Sequence, residues 1–373
     1  MGAEPCLAPA APSRHIRAGL KEDSLGRMEE TDERSSAASA APAGRVERLI
    51  DILERRRTVL RRVGLVASLA IVATSLAIFI RALVAIDPGQ FAAAIAGTSG
   101  AQIFGAFCFS ALSYVALTGY DRLALRHLRL KASVGLTALA SFSSYAISFT
   151  LGFPLITGGA VRYWIYGPAG LSAGKVASLT LIAGITFWLG MGLIVGVGLI
   201  SEAQAIGEIN KLSSLANQLI GVSVLAGLAA YLVVVSRRSR PRVLNVTLPG
   251  PVLTVGQMTL GVIDVCSAAG ALYMLLPKGH GLAFVTFSAL YSFACMLGIA
   301  SHAPGGIGVF EATMLKTIPA PSGSVLASLL LFRAIYYLAP FILAMALLGA
   351  HEGGRRWRSL RDAMRATQDG GED

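Results

Sequence analysis

Charge is what this sequence has least of. Only 14% of its 373 residues are Asp, Glu, Lys or Arg, where a soluble globular domain carries about a quarter. Acidic residues are scarcer still, 21 against 32 Lys and Arg, for a net charge of +11. The basic residues do not interleave with aromatics on a soluble face, so the excess does not point to nucleic acid. Cysteine is sparse: Cys6, Cys108, Cys266 and Cys295 form no CxxC pair and no metal-ligand spacing, which excludes a disulfide framework and a zinc site. At least two of them fall in apolar blocks, where a free cysteine acts as a small apolar residue. No continuous apolar run precedes Val63, so a signal peptide is not expected. Phosphate-binding glycine loops, Ser/His/Asp constellations and acyltransferase-type HxxxxD patterns are missing too, which argues against an enzyme and implies no cofactor.

What remains is apolar sequence. Hydrophobic residues make up 54% of the chain and mean hydropathy is +0.64. They stand in blocks of about 18 to 28 residues, the length that crosses about 30 Å of hydrocarbon. The expected fold is therefore an all-α polytopic membrane protein of about eight helices. Candidate spans are 63–85, 99–119, 133–153, 175–200, 214–235, 252–276, 281–300 and 323–349. Residues 1–44, rich in Ala, Ser and Pro, read as a disordered cytoplasmic tail. Residues 45–62 read as a basic amphipathic helix on the membrane surface, 63–350 as the transmembrane domain, and 351–373 as a basic cytoplasmic tail.

Basic flanks orient the spans. Arg55, Arg56 and Arg57 precede the first, Arg122, Arg126 and Arg129 follow the second, Arg237 and Arg238 the fifth, and Arg355 and Arg356 the last. All are expected in the cytoplasm, as are both termini. Lys131 then lies inside and Glu202 outside, yet two apolar blocks separate them. Either the block 133–153 folds back as a re-entrant hairpin, or the Gly-rich connector after it also crosses. The same parity problem recurs between Lys278 and Arg355. The two regions resemble each other at an offset near 148: Ser144-Tyr145-Ala146 and Ser292-Phe293-Ala294, Gly158-Gly159 and Gly305-Gly306, Ala177-Ser178-Leu179 and Ala327-Ser328-Leu329. Since one starts inside and the other outside, they are expected to be inverted repeats with interrupted or re-entrant Gly-rich segments. Such segments expose backbone groups to a polar substrate near the midplane of a transporter.

Several polar residues lie at membrane depth, where an ionisable side chain marks a pathway by default. Glu311, in PGGIGVFE, either belongs to that pathway or complements the dipole of a half-helix starting near Gly306. Arg162, in TGGAVRYWIY, either holds a phosphodiester through paired hydrogen bonds or is an interfacial arginine beside an aromatic belt that includes Tyr163. Arg333 and Asp264 fall inside apolar blocks; an Asp264–Arg333 or Glu311–Arg333 pair would be a structural explanation for them. Asp121 is not explained by its basic flank. His302 either caps the half-helix or touches a headgroup.

Taken together, YDRLALRHL, SFSSYAISFTLGFPLITGGAVRYWIY and HAPGGIGVFEATML resemble the N-terminal transmembrane module of the lysylphosphatidylglycerol synthetase/flippase family, the bacterial multiple peptide resistance factors. The resemblance covers roughly residues 60 to 350. One departure is Trp164, where a basic residue is expected. In full-length members an aminoacyl-transferase domain follows, for which no room is expected before Asp373. The resemblance implies a flippase in the bacterial inner membrane, exposing aminoacylated phosphatidylglycerol or a related lipid. On that basis Arg162 and Arg333 suit the phosphate, Tyr163 the interface between headgroup and acyl chains, and Glu311, Asp121 or Asp264 the amines. His302 lies nearby, with Gly158, Gly159, Gly305 and Gly306 supplying backbone groups. A non-catalytic subunit serving a separate aminoacyl- or glycosyl-transferase and a lipid-modifying enzyme stay open as alternatives, and so does a homo-oligomer.

Overall fold

The computed structural model describes residues 88–369, apart from 153, 238–241, 244–245, 248, 302–305 and 307. The tail 1–44, the amphipathic helix 45–62 and the first span 63–85 lie outside the described residues, as do His302 and Gly305. The regular structure among the described residues is helical except for a pair of two-residue strands, Arg242–Val243 and Val246–Thr247. In order, the helices are α1 (Pro88–Ala96), α2 (Gly100–His127), α3 (Val134–Leu151), α4 (Pro154–Tyr166), α5 (Ala173–Ser201), α6 (Ala203–Asn210), α7 (Ser214–Arg237), α8 (Pro251–Leu275), α9 (Phe284–Ala300), α10 (Val309–Thr317) and α11 (Ser322–Phe332). A wide π-turn at Arg333–Leu338 then leads into α12 (Ala339–Asp369). Among the described residues, six continuous segments are long and apolar enough to span a membrane: α2, α3, α5, α7, α8 and Ser322–Gly354. Helix α9 is a shorter apolar helix. The last helix runs on past residue 350 into the expected tail.

Local sequence explains the breaks. Ser99 opens α2 with a capping box to Gln102, and Ser133 caps α3 through the Leu136 amide, each supplying an acceptor to an otherwise orphaned N–H. Helix α3 stops at Gly152, whose φ of 82° and ψ of −179° lie in a region open essentially only to glycine. Two residues later Pro154 restarts the chain as α4, its missing N–H harmless at a helix start. The π-turn has a comparable cause. Pro340 has no N–H to give to Tyr336 and its ring would press on that carbonyl. The chain widens just before it, and the Ala339 amide reaches back five residues to Ala334.

The interruptions settle the parity problem. Ser144 donates to the Gly158 carbonyl across the α3–α4 break, and Thr157 to that of Gly152, so the two helices fold back antiparallel. With 13 residues, α4 is about 20 Å long, too short to cross the hydrocarbon core. The second break matches it. Tyr291 and Phe310 meet edge to face at 5.5 Å, Gly298 lies against Gly306, and α10 has only nine residues. Both interrupted segments are re-entrant hairpins, so the first of the two expected alternatives is the one the chain adopts.

The two halves are inverted repeats. Helices α2, α3 and α5 begin at Gly100, Val134 and Ala173, and their counterparts α8, α9 and α11 at Pro251, Phe284 and Ser322, an offset of about 150 each time. The counterparts α2 and α8 pack side by side and antiparallel. Gln102, at the start of α2, donates to the carbonyls of Met274 and Leu276 at the end of α8, while Gly119 faces Leu260 and Gly256 faces Leu123. Each hairpin also packs on the other repeat's last span, α3 against α12 and α9 against α5. Small residues make the closest approach: a Cβ on Gly190 of α5 would stand 2.2 Å from the Gly261 carbonyl carbon of α8. Close contact of this kind drives helix association where lipid is as apolar as the side chains.

Candidate functional site

A cavity of about 460 Å³ lies where the repeats meet. Both hairpin elbows border it, Gly152 and Pro154 from the first, Gly298 and Gly306 from the second. Its walls are mainly apolar, with Phe187, Trp188, Met191 and Val265 among them. Arg162, Asp264, Tyr145, Tyr336 and Tyr337 add polar groups. Leu155, Trp188 and Ile299 also line it and are exposed on the outer surface, so the cavity borders the region that acyl chains occupy.

Arg162 is 2% exposed, which rules out the snorkelling position open to an interfacial arginine. Its Nε donates to Asp121 Oδ2 at 2.9 Å and its Nη2 to Oδ1 at 2.8 Å, a bidentate pair of the strongest kind. The guanidinium lies 4.7 Å from the Tyr145 ring centre. Its Nη1 lies beside Gly158, where a Cβ would come within 3.1 Å of it. Asp121, fully buried near the end of α2, is thus explained by the Arg162 of the first hairpin. Tyr163 is adjacent in sequence but exposed.

The second hairpin carries the opposite charge at the matching place. Glu311, in the first turn of α10, accepts from the Gly308 amide at 2.7 Å and from Arg333 Nε at 2.5 Å. It therefore caps its half-helix and pairs with the π-turn at once. Arg333 stacks 5.1 Å from the Tyr337 ring centre. Of the two pairings the sequence allowed, Glu311–Arg333 is the one formed. It is partly open, with side chains 18% and 23% exposed, where Asp121 and Arg162 are closed.

Asp264, on α8, pairs with no cation among the described residues. It is 2% exposed; Ser113 donates to its Oδ1 at 2.5 Å and Tyr120 to its Oδ2 at 2.8 Å. Ser113 is also 2.8 Å from the Tyr336 hydroxyl. Ring contacts extend this cluster both ways, from Tyr120 to Tyr145 and so to Arg162, and from Tyr336 to Tyr337 and so to Arg333. Sequence reasoning passed over Ser113 and Tyr120, and met Tyr145 only in the match between the repeats. A signal existed: Ser113 and Tyr120 are seven residues apart, two turns along one face of an apolar helix. Gly159 lies against Thr180 in ordinary contact. No group of His, Cys, Asp and Glu among the described residues is arranged to hold a metal ion.

Antiparallel repeats whose broken segments meet at a shared, partly polar cavity define a polytopic membrane protein of the inverted-repeat type. Comparison with known proteins then places the chain. It is 31% identical over 265 residues to the uncharacterized protein slr0712 of Synechocystis, covering 70% of this chain and 82% of that one. It is 26% identical over 240 residues to the phosphatidylglycerol lysyltransferase of Staphylococcus aureus, where the match takes in 63% of this chain but only 28% of the other protein, in its N-terminal part. It is 25% identical over 241 residues to the inner membrane protein YbhN of Escherichia coli, covering 75% of it. No family model matches. The chain belongs to the family of membrane modules that these proteins share, that of the N-terminal transmembrane region of the lysylphosphatidylglycerol synthetase/flippases. It is a multi-pass inner-membrane protein.

Proposed function

We propose that the chain is a phospholipid translocase that moves aminoacylated phosphatidylglycerol, or a lipid with a similar headgroup, between leaflets without covalent chemistry. The observation that carries this reading is the cavity between the two hairpin elbows. Its volume of about 460 Å³ suits a headgroup-sized ligand, and its border with lipid-facing side chains leaves the acyl tails in the bilayer. A charged headgroup crossing bare hydrocarbon would face a barrier of several kcal/mol per charge. Here the few polar groups of the wall, Arg162 and the hydroxyls of Tyr145, Tyr336 and Tyr337 among them, would replace part of its water. Asp121 occupies the Nε–Nη2 edge of Arg162, and the guanidinium also borders the cavity, where it would meet a phosphate oxygen. Glu311 and Arg333 stand outside the cavity lining, and their partly exposed pair would have to open for Glu311 to take an incoming ammonium. Similarity to a phosphatidylglycerol lysyltransferase supports the lipid class, and both termini are read as cytoplasmic from their basic flanks.

The test is leaflet exposure in intact cells. A membrane-impermeant amine reagent reads outer-leaflet aminolipid in wild type, a deletion strain, and strains carrying Glu311→Gln or Arg162→Lys, with total aminolipid measured in parallel. Arg162→Lys keeps the charge opposite Asp121 but loses the two-pronged fork. Exposure should fall in the deletion while totals hold, and both variants should follow it at normal expression. A fall in totals would instead assign the chain to synthesis, and no change in either would exclude aminolipids as cargo.

A further inference from the structure

Among the described residues, Asp264 is a buried carboxylate that the proposed headgroup contacts leave unused. It sits on α8 in the wall of the cavity, yet where Arg162 and Arg333 have carboxylates, Asp264 has only hydroxyls. The titratable side chains that face it are Tyr114 and Tyr120 from α2, Tyr145 from α3, Cys295 from α9, Tyr336 from the π-turn and Cys266 on α8 itself. Helix α5, packed alongside, holds one titratable side chain, Lys175, in its first turn, and α11 holds none. The facing set contains no cation. A carboxylate in such surroundings is held by hydrogen bonds alone, and taking up a proton is the direct way for it to shed a costly buried charge.

We infer that Asp264 is a proton-binding site that couples lipid movement to a proton gradient, an inference that rests on the translocase reading. The step adds one proton to a carboxylate oxygen from one side of the membrane and returns it to the other, with no other bond made or broken. Ser113 converts the change into a structural signal. While Asp264 is ionised, Ser113 must donate to it and can only accept from Tyr336. Once Asp264 carries a proton and donates it to Ser113, the Ser113 hydroxyl is free to turn and donate to Tyr336; the 2.8 Å contact between those hydroxyls allows either direction. Tyr336 belongs to the π-turn that also holds Tyr337 and Arg333. A non-standard turn in a helix is a common place for a functional hinge. Protonation at α8 thereby reaches the ion pair that holds the second hairpin.

The experiment uses the full chain in phosphatidylglycerol vesicles containing lysyl-phosphatidylglycerol, in sodium-free buffer with the membrane potential clamped. The amine reagent reads the leaflet ratio and a trapped dye reads internal pH. A one-unit pH difference is worth about 1.36 kcal/mol per proton, so one proton per lipid shifts the equilibrium leaflet ratio of wild type up to tenfold, reversing with the sign of the gradient. Proton uptake should accompany lipid movement. Asp264→Asn should carry no protons, and whatever lipid movement remains should ignore the gradient. Ser113→Ala, which keeps the carboxylate, should blunt the gradient response, and it decides the matter if the Asn variant does not fold. An Asn variant that answers the gradient as wild type does overturns the assignment. So does a wild type that moves lipid indifferently to protons, or one that answers an imposed sodium gradient instead; in those two cases the translocase reading stands. A folded wild type that moves no lipid overturns both.

Discussion

The pairing of Asp121 with Arg162 gives the sharpest energetic test of the structure. Both side chains are buried, 0% and 2% exposed, and joined through two hydrogen bonds. Replacing Arg162 with Ala leaves a carboxylate buried among apolar side chains with its partner gone. Loss of one member of a buried pair costs about 3–5 kcal/mol, and the cation–π contact with Tyr145 adds about 1 kcal/mol. Asp121→Asn, which removes the charge but keeps a polar side chain, should cost somewhat less. The double variant Asp121→Leu/Arg162→Met has no buried charge to strand. It should recover most of the loss, since exchanging a whole ion pair for apolar residues is often neutral or better. Reversible unfolding in mixed micelles, with the two matching single variants completing the cycle, reads the coupling energy, and a value above about 2 kcal/mol is expected. If the double variant loses the sum of its single variants to within about 0.5 kcal/mol, the two side chains do not act on each other and the reasoning fails. A double variant that folds but moves no lipid would show that Arg162 is needed for the headgroup and not merely for the fold.

Other expectations follow from the packing. Gly190→Val places side-chain atoms where the Gly261 backbone stands and should abolish the monodisperse detergent-solubilised form, whereas Gly227→Val, at an open position, should leave it unchanged. Gly152→Ala forces a side chain into φ 82°, ψ −179° and should lower stability by about 1–3 kcal/mol, read as a lower melting temperature. Single cysteines at Arg129 and Gly170, on the loops that open and close the first hairpin, should react with an impermeant thiol reagent from the same side of the membrane, and one at Glu208 from the opposite side; labelling of 129 and 170 from opposite sides would refute the hairpin. Ser99→Ala removes the cap of α2 and should cost about 1 kcal/mol without changing transport.

Much of this architecture was legible beforehand, and for physical reasons. Span positions follow from hydropathy because the bilayer acts on one residue at a time, and the inverted repeats showed as a conflict between charge flanks and span count. The choice between a hairpin and a crossing connector was not legible. It depends on Ser144 reaching Gly158 and on α4 stopping at Tyr166, and no local rule fixes either. For the same reason Glu311 and Arg333 could be matched only as one option of two, while the match of Asp121 with Arg162 went unseen. Those residues lie 41 apart in the chain, and only the fold of the first hairpin brings them together. Asp264 stood out as a charge in an apolar block, yet its hydroxyl partners did not, because Ser and Tyr are unremarked in a membrane helix until something charged lies opposite.

The exchange of packing between the repeats has a consequence for how the chain is made. The face of α3 that rests on α12 includes Ile147 and Leu151, buried in one cluster with Phe341 and Leu348. Those partners are synthesised nearly two hundred residues later. Until they leave the ribosome, the first hairpin sits in the membrane with that flank bare. Truncations that stop before the last span should leave the first half inserted but unsettled, open to the proteases that patrol the bilayer. Quality control of this protein is therefore deferred to the end of translation.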